Sequence, residues 1–528
     1  MRKHISLLIA LCLILSMIGL PALAADPVVI TVGRSVSPTQ QFLPGEDINN
    51  NIWYREYLNA LNIKIQHEWT VMDSEYATKL NLAIASGKIP NIVKLDTQSQ
   101  LNDLVNAGLV ADITDVYNQY ASDSTKTLMA GDGGAAMNMC TYDGRLMALP
   151  YMDSTVYQIS LMWIRQDWLD KLGLKVPTTM EELQQVAYAF TYDDPDGNGV
   201  DDTKGIALSD SLFDGTTSLT GFLNGYHAYP KTWLVKDGKV AYGSVQPEMK
   251  QGLAVLADMY SKGLIDTDFA VKDTGKVCEE VQGRKFGILF GYNWSNYSTG
   301  TDKDAWLGWT VAKVPSVDEK DVTYSTGSSC TGYYVVSADC KNPEALVQLM
   351  NLYIDIVFGD YTDLSKGNPF CYAVGADGKT IAQTALSVVG TLTGNAQTVD
   401  AMKKLVAAVG AQDEKLLAGA VTETDKYGPS VDYLYNKNIA THGQYYQYAA
   451  FKTSVEDIGV DKLLATAFSG STETMDAKWS ILNDYEIETF TKIIMGEAKI
   501  DEFDAFVEKW NSMGGDQIIS EISDVVIK

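Results

Sequence analysis

The chain has 528 residues, 46% hydrophobic and 20% charged, a globular composition whose length predicts two or more domains at about 150 residues each. Lys and Arg total 41 against 67 Asp and Glu, giving a formal net charge of −26. That balance excludes the clustered cations that grip a phosphate backbone or anionic lipid, so no nucleic acid partner is expected.

The predicted elements begin with an export signal. Arg2 and Lys3 precede an apolar stretch over residues 5–15, and Pro21 introduces Ala22-Leu23-Ala24, an A-x-A cleavage pattern. Residues 1–24 are expected to be a signal peptide, too short in apolar length to span a bilayer of about 30 Å. Its loss leaves 39 basic residues against 67 acidic ones, a charge of −28. Cys12 lies inside this segment after Leu11, without the small neighbour and cleavage position of a lipid-anchored cysteine.

Residues 28–32 form a β-branched run ending at Gly33, a buried strand. A polar loop leads to a helix over 52–61 and a second strand over 63–70. Asp73 or Ser74 caps the next helix, on which Tyr76, Leu80, Ala83 and Ile84 share a face, with Gly87 at its C′ position. Residues 92–96 make a third strand, followed by the polar loop 97–100 and a helix from Leu101 to Gly108. Strands alternating with helices predict a parallel sheet wrapped by helices. Ligands bind such sheets at the carboxyl ends of the strands, so the loops after Gly33 and Leu95 are candidates, although plain connections look alike.

Further on, an apolar stretch covers 156–164, Asp167 caps a short helix to Leu172, and Thr179-Met180-Glu181-Glu182 has the form of a capping box. Residues 287–290 and 332–336 read as strands, 344–353 as a helix, and the chain from Lys478 onward as mostly helical. No repeat, flexible linker or long charge run separates domains, which suits two interleaved lobes.

Chemistry-bearing motifs are few. Cys140, Cys278, Cys330, Cys340 and Cys371 allow at most two bridges, which sequence cannot pair, and none has CxxC spacing. His67, His227 and His442 are far apart, and neither HExxH nor GxSxG occurs. The sharpest motif runs from Asp194 to Asp202. Asp194, Asp196 and Asn198 alternate as oxygen donors, Gly199 permits a sharp turn, Val200 offers its carbonyl and Asp202 adds a carboxylate. This set suits structural Ca2+, though Gly205 stands where an EF-hand has Glu. The same residues can also form a metal-free Asp/Gly turn.

Sugars combine apolar C–H faces with hydroxyl rims, so aromatic platforms beside carboxylates and amides suit them. Trp53, Asp96, Gln98, Tyr151, Asp153, Tyr292 and Trp294 all lie near expected loops or crossings. Each could face a cleft or pack between domains. Trp163, Trp168 and Trp479 sit in apolar or helical patterns and are expected in the core.

Residues 79–93, with Leu80, Ile84, Gly87 and Pro90, together with residues 164–173 and Pro177-Thr178-Thr179, resemble the extracellular solute-binding proteins of ABC importers, the group-1 type that receives sugars and oligosaccharides. The Asp194–Asp202 loop and the ending at residues 494–497 and 503–515 resemble a calcium-loop subgroup that includes alginate-oligosaccharide-binding proteins. The resemblance implies a two-lobe α/β periplasmic-binding-protein-like fold, with lobe 1 from 25–150 and about 326–400 and lobe 2 from 151–325 and about 401–528. It implies carbohydrate held between the lobes, transfer to an ABC permease and no catalysis; a monomer, exported and without a lipid anchor, is expected. In the alginate-binding relatives a Tyr and a Trp contact sugar at positions matching Tyr151 and Trp294. One departure is Thr203, where the subgroup commonly has Glu. A secreted glycoside hydrolase using two carboxylates, or the same fold binding a peptide or other small polar solute, are the alternatives.

Overall fold

Two separate sheets organise the molecule. In the first, the strand Val28–Val36 pairs in parallel with Ile63–Met72 on one side and Ile92–Leu95 on the other. Cys330–Val336 then adds antiparallel, followed by Leu149–Met152 at the edge. In the second, Ser160–Arg165 lies antiparallel between Trp309–Ala312 and Phe286–Tyr292, and Lys204–Ile206 closes the edge. The computed structural model describes residues 26–37, 40–297, 308–359, 368–375, 380–418, 420, 426–438 and 441–527. The expected signal peptide lies outside these residues.

Local chemistry explains the element boundaries. Thr179 is the N-cap of Met180–Tyr192, accepting from the Glu182 amide at 3.1 Å while Glu182 accepts from the Thr179 amide at 3.3 Å. A second capping box, Thr97 with Gln100, starts a helix at Gln98 rather than Leu101, so the expected loop 97–100 is mostly the first turn of Gln98–Asn106. The helix Asp73–Ala85 begins after Met72, whose amide donates to Glu75, so neither Asp73 nor Ser74 is its cap. Gly33 is required by close approach: a Cβ there would sit 2.2 Å from the Trp69 ring.

Each sheet carries its own core. Ile30, Val32, Leu80, Leu95, Val335 and Leu349 belong to the first, whose members fall within residues 30–152 and 330–389. Trp163, Phe190, Leu253, Ile288, Phe490 and Trp510 belong to the second, within 156–324 and 399–522. Burying each large apolar side chain contributes about 1.5–3 kcal/mol, so each lobe has its own source of stability. The fold is α/β with two lobes.

Among the described residues the chain passes between the cores three times, and the passages lie side by side. The Asp153 amide donates to the Ser329 carbonyl at 2.8 Å, and the Leu392 amide to the Met152 carbonyl at 3.0 Å. Asn395 accepts from the Thr155 amide at 2.8 Å and donates to its hydroxyl at 2.9 Å. Three thin strands of backbone, laced together, join the two lobes. Among the described residues no helix is long and apolar enough to cross a membrane.

Candidate functional site

Between the lobes lies a cavity of about 2450 Å³. From the first lobe, the chain after Val32 and after Leu95 reaches its wall, where parallel strands deliver their carboxyl ends. From the second lobe come the end of Phe286–Tyr292 and the turn that follows it.

Six of the seven residues proposed from sequence line this cavity: Asp96, Gln98, Tyr151, Asp153, Tyr292 and Trp294. Tyr151, half-buried at the sheet edge, has its ring 6.4 Å from that of Tyr334, and the Lys94 ammonium stands 4.6 Å above it. Asp153 follows at the first passage between lobes; burial pushes its carboxyl up, partly offset by bonds from Ser154 and Gln158. Across the cavity Tyr292 donates to Asp214 at 2.8 Å, and its ring lies 5.2 Å from Trp294 at 45°. Burial, then the Asp214 charge, raises the Tyr292 phenol, so it remains an O–H donor at any ordinary pH. Asp96 is exposed. Gln98 is already engaged within its lobe, donating to the Met139 carbonyl at 3.0 Å and accepting from Tyr333 at 3.4 Å.

Trp53 is a correction. It is fully buried, stacked on Tyr353 at 5.3 Å and edge-on to Phe370 at 5.2 Å, with its indole N–H donating to the Gln383 carbonyl at 2.9 Å. It opens the helix Ile52–Leu61, and with Tyr57 one turn on it faces the first core.

Several cavity residues escaped the sequence reading. Arg34 lines the wall while donating to the carbonyls of Ala385, Leu386 and Ser387 at 2.7–2.9 Å. Trp479 was assigned to the core from its helical pattern, yet it lines the cavity beside Trp233, 5.9 Å away. Lys231 reaches the second-lobe wall from a residue at φ 58°, its ammonium 2.5 Å from Asn483 and 3.2 Å from the buried Glu486 carboxylate. Tyr242 donates to that carboxylate at 3.0 Å. Only Lys94 had a local signal, a lysine inside the otherwise apolar strand Ile92–Leu95. The resulting wall mixes aromatic faces with carboxylates and a few cations.

The acidic loop lies on the second lobe. Asp194, Gly197 and Gly199 all take positive φ, and Asp194 accepts from the Gly197 and Gly199 amides at 3.0 and 3.2 Å. The Asn198 amide nitrogen sits between Asp196 and Asp202, at 2.8 and 3.2 Å, so side chains at positions 3, 5 and 9 converge. The Asn198 oxygen accepts instead from the Val200 amide, and the Val200 carbonyl accepts from the Asp202 amide. Lys285 pairs with Asp202 and, with Asn198, holds its carboxyl below the usual range. Thr203 turns away to donate to the Phe190 carbonyl at 2.8 Å. The donor chemistry fits a hard divalent cation once the Asn198 amide rotates, although no His, Cys, Asp or Glu trio among the described residues is already gathered around a metal position.

Comparison with known proteins agrees with this architecture. Residues 52–355, more than half of the chain, match the family model for bacterial extracellular solute-binding proteins. The polygalacturonan/rhamnogalacturonan-binding protein YtcQ of Bacillus subtilis is 25% identical over 482 residues, 89% of this chain and 87% of that protein. Among solved structures, the ABC-transporter substrate-binding protein FusA of S. pneumoniae with kestose superimposes with a TM-score of 0.65 at 18% identity, covering 94% of this chain and 98% of that one. The alginate-binding protein AlgQ2, solved without calcium ion, gives 0.62 at 16% identity, covering 96% and 99%. At these identities the structural likeness speaks for the fold.

Proposed function

The chain belongs to the bacterial extracellular solute-binding protein family, and from that premise we propose that it captures an oligosaccharide between its two lobes for delivery to the permease of an ABC importer. The observation that carries this reading is the cavity itself: Tyr151 on one lobe and Trp294 on the other offer half-buried rings to the same space, beside carboxylates that accept from hydroxyls. YtcQ and FusA, with their carbohydrate ligands, support it. In this reading the chain is exported, acts as a monomer and leaves its ligand chemically unchanged. The lobes comprise residues 25–150 with about 326–400, and 151–325 with about 401–528. Closure is driven by contacts the ligand gains only when both walls reach it.

A calorimetric screen of neutral and uronate oligosaccharides tests the reading. One-to-one binding is expected, with the sugar recovered intact. Shortened products would instead make the protein a glycoside hydrolase, and binding restricted to peptides would keep the fold but change the solute.

The Asp194–Asp202 loop is proposed to hold structural Ca2+ through Asp194, Asp196, Asn198, the Val200 carbonyl and Asp202. Bound calcium would supply the charge that draws these oxygens together. Calcium at about 100 times its Kd should add about 2.7 kcal/mol of stability, raising Tm, and EDTA should lower it. Asp196→Ala should abolish the shift. An unchanged Tm in calcium and in EDTA would remove the metal from this loop.

A further inference from the structure

The cavity wall carries an excess of negative charge. Among the described residues seven carboxyl groups line it, Asp96, Asp153, Asp210, Asp214 and Asp476 among them, against the four cations Arg34, Lys94, Lys231 and Lys426. None of the seven is in an ion pair with a described residue. Neutral donors meet two of them instead: Asp214 accepts from the Tyr292 hydroxyl at 2.8 Å, and Asp476 from the Ser471 hydroxyl and the Asn102 amide.

The cations are engaged within the protein. Arg34 directs three N–H bonds at main-chain carbonyls of its own lobe, so both terminal nitrogens are bonded. It is the one arginine among the described wall residues, and no bidentate fork is left for a ligand carboxylate. Lys231 stands 3.2 Å from the Glu486 carboxylate, which is 1% exposed and offsets its charge. Lys94 and Lys426 lie over the rings of Tyr151 and Phe451, at 4.6 and 5.9 Å.

Such a wall suits neutral hydroxyls. A carboxylate accepts from a sugar hydroxyl in a charge-assisted bond. Thr326 lines the same cavity at 4% exposure, and its hydroxyl has no partner among the described residues, so it can donate to or accept from a ligand hydroxyl. A uronate meets the opposite situation. Its carboxylate must leave water and enter beside unpaired like charges, where repulsion is stronger than in solvent.

Resting on the oligosaccharide reading above, we propose that the cavity selects uncharged oligosaccharides and discriminates against uronate ones. The unpaired carboxylates do both jobs, accepting from hydroxyls and repelling a ligand anion. This preference runs opposite to that of YtcQ, whose named ligand polygalacturonan is a polyanion.

The test titrates the full chain calorimetrically with matched pairs: oligouronates of several linkages, and the same chains with their carboxyl groups reduced to hydroxymethyl. The reduced member is expected to bind at least about tenfold tighter. Raising salt should leave its Kd unchanged and should tighten uronate binding, because salt screens repulsion. Asp214→Asn keeps an acceptor for Tyr292 and removes one charge, so it should narrow the gap between the members of a pair. Should that variant fail to fold, the wild-type pairs and the salt series decide. Equal or tighter binding of the uronate member, or uronate affinity that falls with salt, would overturn the charge selection and leave the oligosaccharide reading standing. Binding of no member of any pair would overturn both.

Discussion

Trp53→Ala should destabilise the protein by about 3–5 kcal/mol, the usual cost of deleting a fully buried aromatic ring. The ring is 0% exposed and touches segments far away in sequence, Tyr353 and Phe370 among them. Its N–H also satisfies the Gln383 and Phe370 carbonyls, at 2.9 and 3.2 Å, which alanine would leave unpaired inside the lobe. Denaturant titration of the ligand-free protein reads the effect as a lower midpoint with an unchanged slope. Trp53→Phe, keeping one aromatic ring while losing the donor and part of the bulk, should cost less. If stability were unchanged and carbohydrate binding alone were lost, Trp53 would have to be a ligand contact after all.

That residue also marks where the sequence was legible. Alternating strands and helices, the Thr179 capping box and the C′ glycines depend on neighbours a few positions away, and local spacing carried them. The side-chain environment of Trp53 was also local information: Trp53 and Tyr57 lie one turn apart, both 0% exposed, and their shared helix face points into the core. Its place after a polar loop suggested a ligand position, but the helical period was the stronger signal. Other features had no local trace. Arg34 meets residues more than 350 positions away, so only the assembled lobe brings them together. Trp479 packs against the second core, as its helical period predicts, and it also lines the cavity. An apolar period on the helix Glu473–Ile494 shows which face turns inward, but not that a cavity reaches that face.

Tyr151→Ala and Trp294→Ala should each weaken oligosaccharide binding by about tenfold to a hundredfold, about 1–3 kcal/mol. The two rings sit on different lobes, so each substitution removes a platform from only one wall. If ligand first docks on one wall and closure then recruits the other, the ring on the first wall governs docking. The second ring governs the closed population. The double variant should then lose less than the sum of the single losses, because a protein that no longer closes cannot use the later contact. Tyr292→Phe isolates a smaller effect: it removes the O–H that donates to Asp214 at 2.8 Å and leaves the ring beside Trp294. Its loss should be under tenfold, close to the worth of one hydrogen bond. Calorimetry with the sugar found by screening measures all four variants, and ligand-free melting checks that each remains folded. Unchanged affinity in both alanine variants would move the ligand away from these rings, towards the Trp233–Trp479 end of the same cavity.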